Sequence, residues 1–187
     1  MKKLSSIAAA TCGVFGVIVL ASPSANADVA SNSDEPYCAI LVGKASGDGP
    51  SPVIASACSP TSEKDARNRM MRAAERTQAR TQGSESSTKL SSDLLMTWFE
   101  DANYGTPKAD IYGDAGPCDS AGYELHPSTT WPWSWGNSIS SAAGTETCDT
   151  ADFVSQSNTY ARTFNLPVPF IGNTLNDNVG TIRVWND

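Results

Sequence analysis

The sequence predicts a mainly β fold, entered through a disulfide-closed hairpin and a short helix. Three observations carry that expectation. From Asp93 onwards the apolar residues come in short runs separated by Gly, Pro, Asn and Asp, and no helical period survives. Ahead of that region, Glu63 to Arg80 contains neither Pro nor Gly and follows a capping signal. Finally, Cys38, Cys58, Cys118 and Cys148 are spaced for staples between short elements.

Residues 1–27 read as a secretory signal peptide. Lys2 and Lys3 start it, an apolar segment runs from Ile7 to Ala21, and Ala25-Asn26-Ala27 offers a cleavage site before Asp28. The apolar run falls short of the ~20 residues that a membrane helix needs. The expectation is a secreted, extracellular protein with no membrane segment in its mature form. In an oxidising compartment the four remaining cysteines read as two disulfides, with three pairings open. Pairing neighbours, Cys38 with Cys58 and Cys118 with Cys148, suits two separate modules best, and each bridge would stabilise by roughly 3 kcal/mol. Zinc fits poorly, because these cysteines lack close spacing and the sole histidine, His126, precedes a Pro.

Residues 28–60 form the hairpin module. Tyr37 to Val42 and Val53 to Cys58 read as partner strands around a loop rich in Gly and Pro. A lone hairpin is marginal in water, so docking on something larger is expected. Residues 61–92 read as a helix and a flexible linker. Ser62 and Asp65 offer a capping box, and Ala66, Met70, Ala73, Ala74 and Thr77 make a weak apolar stripe. Arg67, Arg69, Arg72, Arg76 and Arg80 spread round the rest, so a solvated linker helix is favoured over a docked one.

Residues 93–187 make up the β-domain. They carry twelve acidic and three basic side chains, whereas residues 28–92 carry eight of each. Such a field disfavours nucleic acid and anionic lipid and favours cations or a basic partner, although acidity also serves solubility. At the start of the domain, Phe99 and Tyr104 bracket Glu100-Asp101-Ala102-Asn103, a strand running into a folded hairpin with two rings across the bend. Trp131-Pro132-Trp133-Ser134-Trp135 reads as extended chain at a sheet edge, with three indoles on one face. Thr181 to Trp185 closes the chain as a strand with Ile182 and Val184 on one face.

Two segments look like copies: Trp135-Gly136-Asn137-Ser138-Ile139-Ser140-Ser141 and Leu175-Asn176-Asp177-Asn178-Val179-Gly180-Thr181. Each offers carboxylate, amide or hydroxyl oxygens beside backbone carbonyls, the hard donors that suit Ca²⁺. The competing reading is a pair of turns whose side chains satisfy their own backbone.

The aromatic hairpin resembles the signature of the βγ-crystallin family: aromatic, four residues, aromatic, one residue, Gly. Here the Gly stands one place early, at 105, and Thr106 takes its position. The two cassettes resemble the paired Asn/Asp-Asn/Asp-x-x-Ser/Thr-Ser calcium clamps of microbial members, and residues 94–187 match the length of a two-motif domain. The resemblance implies a two-motif Greek-key βγ-crystallin-like sandwich with a pair of calcium sites. Each would combine the early oxygens of one clamp with the fifth-position hydroxyl of the other. One site would use Asp177, the carbonyl of Asn178 and Ser140. The other would use Asn137 and the carbonyl of Ser138, with the carbonyl of Glu100 contributing to one of them. Gly136 stands where the first clamp has Asn or Asp, and Gly180 where the second has a hydroxyl. One good and one degraded site are therefore expected.

The chain lacks a Gly-x-Ser-x-Gly elbow, a phosphate-binding Gly-rich loop and a His-Glu-x-x-His pair, so no enzyme is predicted. The expected partner is a calcium ion. The alternative is an extracellular protease, since a group of bacterial metalloproteinase inhibitors is similar in fold and layout. An inhibitor would present a rigid loop, for which Gly113 to Pro117, braced by Cys118, is the candidate.

Overall fold

The computed structural model describes residues 35–45, 49–82, 90–127 and 132–187. The expected signal peptide and most of the expected linker lie outside the described residues. In chain order the elements are β1 (Tyr37–Val42), β2 (Val53–Ser59), α1 (Glu63–Gln82), β3 (Asp93–Asp101), β4 (Gly105–Gly113) and β5 (Tyr123–Leu125). They continue with β6 (Ser141–Gly144), β7 (Thr150–Ser155), β8 (Ala161–Asn165) and β9 (Val179–Trp185).

The strands form two sheets, ordered β2-β1-β4-β3-β6 and β5-β9-β7-β8. Each four-strand unit sends its third segment to the other sheet. β5 leaves the first unit to pair antiparallel with β9, Tyr123 opposite Val184. In the second unit Val168 bridges to Ala142 on β6, with N–H···O distances of 2.8 and 3.1 Å. This exchange interlocks two Greek keys, so the expected mainly β, two-motif crystallin-like sandwich is the fold observed. Trp98, Ile111, Phe153, Ile182 and Val184 are among the buried side chains that fill the space between the sheets.

The N-terminal hairpin is a continuation of the first sheet. β1 lies parallel to β4, Tyr37 opposite Lys108 through Val42 opposite Gly113. Cys38, Ile40 and Val42 join the inter-sheet core, while Ala39 and Leu41 face a second apolar cluster under the helix. A strand covered on both faces reads as an unbroken apolar run, which is why Cys38 to Val42 shows no polar alternation. Disulfides join Cys38 to Cys58 and Cys118 to Cys148.

The helix corrects the sequence reading, because it is docked and not solvated. Ala66, Met70 and Ala74 are fully buried against Ala39, Leu41, Ala55 and Tyr112. The stripe is narrow, but small residues on both sides let the helix approach closely, so little apolar width is needed. The cap is half of a capping box: Asp65 N–H donates to Ser62 Oγ at 3.2 Å. The Asp65 carboxylate instead accepts from Ser59 Oγ at 2.7 Å and pairs with Arg69 Nε at 2.8 Å. Lys108 ties the sheet to the helix, 2.7 Å from Glu63 Oε1.

The tryptophan segment is a second correction. Pro132–Asn137 is a 3-10 turn with Ser134 at φ 53°, not extended chain. Proline suits the first position of a helical turn, and in such a turn residues two apart do not share a face. Trp135 is buried against Trp98, ring centroids 6.5 Å apart; the side chains of Trp131 and Trp133 lie outside what is described.

Candidate functional site

The first hairpin turns tightly because Asn103 and Tyr104 both adopt left-handed backbone, φ 58° and 66°. Phe99 and Tyr104 meet edge to face across the bend, centroids 5.5 Å apart, as expected. Gly105 serves a purpose other than positive φ. Its backbone is extended, φ −74°, but a Cβ there would come within 2.7 Å of Asp101 Cβ. A buried serine holds the corner shut: Ser141 Oγ donates to Asp101 O at 2.7 Å and accepts from Tyr104 N–H at 3.1 Å. Ser141 passed in the sequence for the last letter of a cassette; it is the latch of a hairpin some forty residues upstream.

The two cassettes lie side by side. Asp177 N–H donates to Ile139 O at 3.2 Å, which brings the second cassette against the residue before Ser140. Ser140 N–H donates to Phe99 O at 2.9 Å, so Glu100 adjoins the same corner. The Glu100 carboxyl is raised above its ordinary pKa by burial first, then by the negative charges of Asp101 and Asp177. Ser140 is only 7% exposed, and its hydroxyl makes no hydrogen bond to a described residue. Asp177 has left-handed backbone, φ 56°, and its Oδ2 accepts from Asn176 Nδ2 at 2.6 Å.

The remaining predicted residues are engaged differently. The Asn178 side chain donates to Thr174 O at 3.0 Å, and its carbonyl accepts Gln156 N–H at 3.1 Å, leaving that oxygen one lone pair. Ser138 N–H turns onto Trp135 O at 3.0 Å. Asn137 Oδ1 is held by Gln156 Nε2 at 2.6 Å. Glu100, Ser140 and Asp177 therefore converge, while Asn137 and Ser138 belong to a separate corner next to the second hairpin.

Among the described residues no three Asp, Glu, His or Cys side chains cluster closely enough to hold a metal on their own. A cation at the Asp177 corner would combine one carboxylate with hydroxyl and carbonyl oxygens. That mixed, all-oxygen donor set matches the chemistry of Ca²⁺ and not of zinc or a thiophilic metal.

The two glycines that break the clamp pattern have steric reasons. A Cβ at Gly136 would collide with Pro127 O and stand 2.5 Å from Val179 O. A Cβ at Gly180 would stand 2.8 Å from Gln156 Cα and 3.0 Å from Ser155 O. Sequence reasoning also missed Gln156. Ser155 and Tyr160 repeat the Phe99–Tyr104 spacing, but serine in the first aromatic place hides the second hairpin and the residue that follows it.

No family model matches the chain, and no curated protein matches it. A solved structure of a mutant βγ-crystallin domain from Clostridium beijerinckii is similar to 49% of this chain and to 97% of its own length, with 14% sequence identity and a TM-score of 0.35.

Proposed function

We propose that this is a secreted, non-enzymatic calcium-binding module whose ion sits at the Asp177–Ser140 corner and stabilises the sandwich. The observation that carries the reading is the contact between cassettes, Asp177 N–H to Ile139 O at 3.2 Å. It brings the Asp177 backbone against the residue before Ser140, whose hydroxyl makes no hydrogen bond to a described residue, at a corner where the Glu100 carboxyl is raised first by burial and then by the charges of Asp101 and Asp177. Calcium would supply charge compensation there; the chain's own residues supply the oxygens and a backbone frame that holds them before binding. Two cystines and the absence, among the described residues, of a helix long and apolar enough to cross a membrane are compatible with an extracellular setting. Thermal melts with and without millimolar Ca²⁺ test the reading. An ion at a hundred times its Kd should raise stability by about 2.7 kcal/mol. An unmoved melting temperature would refute it.

A second reading, a proteinase inhibitor, draws on the loop after β4. Asp114 N–H is bonded to Val42 O at 3.0 Å, Gly116 O accepts from Tyr123 Oη at 2.7 Å, and Cys118 is bridged to Cys148. Ala115 and Pro117 stay exposed on this braced frame. Inhibition of thermolysin-like or subtilisin-like enzymes would support it; no inhibition of either class would remove it.

A further inference from the structure

We infer that the cassette around Asn137 is closed by the protein's own amide, that of Gln156, so that the molecule offers one cation position and not two. The inference rests on the calcium reading only for the occupancy of the other corner. Its basis is the way Gln156 meets the cassette. Gln156 Nε2 donates to Asn137 Oδ1 at 2.6 Å and to Gly136 O at 3.2 Å. A carbonyl oxygen can only accept, so the nitrogen of the amide, not its oxygen, must face Gly136. Both amide protons are thereby spent on oxygens of this cassette, one of them the Asn137 oxygen that a hard cation here would need. The pairing is neutral and needs no ion.

The surrounding backbone fits this closure. Gln156 N–H also binds Asn178 O at 3.1 Å, which seats the second hairpin directly on the second cassette. At that approach Gly180 has no space for a Cβ, and Gly136 has none against Pro127 and Val179. The glycines and the glutamine thus form one co-fitted set. Gly180 is not simply a lost ligand, because the hairpin backbone stands where a serine side chain would go.

Comparison with the open corner isolates the decisive residue. Glu100 follows Phe99 as Gln156 follows Ser155, each directly after the first residue of the two matching five-residue spacings, Phe99 to Tyr104 and Ser155 to Tyr160. In the first hairpin that place holds an acid, which has no amide protons to give, and Ser140, whose N–H binds Phe99 O, makes no side-chain hydrogen bond to a described residue. In the second it holds an amide, which donates twice. A single exchange of amide for acid at 156 should therefore reopen the closed corner to cations.

The test is the mature protein and its Gln156→Glu variant, with Ca²⁺ uptake measured by calorimetry and melts recorded free of metal. The wild type should bind no more than one ion, and the side-chain amide protons of Gln156 should keep their chemical shifts at saturation. Q156E should lose on the order of 3–6 °C in metal-free melting temperature, because two donated bonds become unpaired oxygens, and should take up one additional ion. If Q156E does not fold, Gln156→Ala must still lower the metal-free melting temperature, and an unchanged value overturns the inference. It also falls if wild-type Gln156 amide protons shift on calcium addition, or if folded Q156E gains no ion. The two readings separate cleanly. A wild type that binds no calcium, beside a Q156E that binds one, would defeat the proposed function and uphold this closure. A wild type that binds one ion at Asp177, beside a Q156E that also binds one, would do the reverse.

Discussion

Asp177 adopts a left-handed backbone that aspartate and asparagine tolerate better than other side-chain-bearing residues. This separates its conformational role from its charge. Asp177→Asn should keep the turn, leave metal-free stability within about 0.5 kcal/mol, and abolish the calcium-dependent rise in melting temperature. Glu100 gives a pH signature. Burial, then Asp101 and Asp177, raise its carboxyl in the folded state, so the folded chain holds the proton more tightly than the unfolded one. Metal-free stability should therefore fall as pH rises from the ordinary glutamate range through the raised value, and Glu100→Gln should flatten that part of a melting-temperature profile. How much of the corner was legible depended on the residue. Glu100, Ser140 and Asp177 could be named because donor types and spacing survive in a linear string. Ser141's latch, Gln156's amide and the crowding at Gly136 could not, because each depends on neighbours 9 to 43 positions away in the chain.

At the scale of elements, the docking of α1 rests on a short list of contacts. Met70 is the large side chain between Ala66 and Ala74 in the cluster beneath the helix. Met70→Ala should destabilise by about 2–4 kcal/mol through the cavity it leaves. Hydrogen exchange should show the loss first in α1 and β2, before β7 and β9. The polar border of that interface is consistent with a fixed dock. Thr97 Oγ1 donates to buried Asp110 at 2.8 Å, and Lys108 lies 3.5 Å from the same carboxylate while bonding Glu63. Strand positions were readable wherever apolar residues bordered turn formers, as at β1, β2, β3 and β9. The docking of α1 was not readable, because alanine carries little hydrophobic signal and the facing alanines of β1 and β2 are remote in sequence. The tryptophan segment misled for a different reason: alternation of large and small residues mimics a strand, whereas Pro132 and Ser134 set a helical turn.

Across the whole molecule, charge and topology work together. The two-unit exchange that sends β5 and the Val168 segment across the sandwich also brings the cassettes into contact, so the fold itself assembles the corner. Residues 93–187 carry nine more acidic than basic side chains, and among the described residues no ion pair reaches Glu100 or Asp177. A cation bound at that corner would offset part of this charge, including the repulsion of Glu100 by Asp101 and Asp177. The most direct measurement is a calcium titration of residues 28–187 followed by backbone amide shifts. The account predicts a saturable response centred on Glu100, Ser140, Asp177 and Asn178, accompanied by a higher melting temperature. No response at millimolar calcium, or one confined to Asn137 and Ser138, would contradict it.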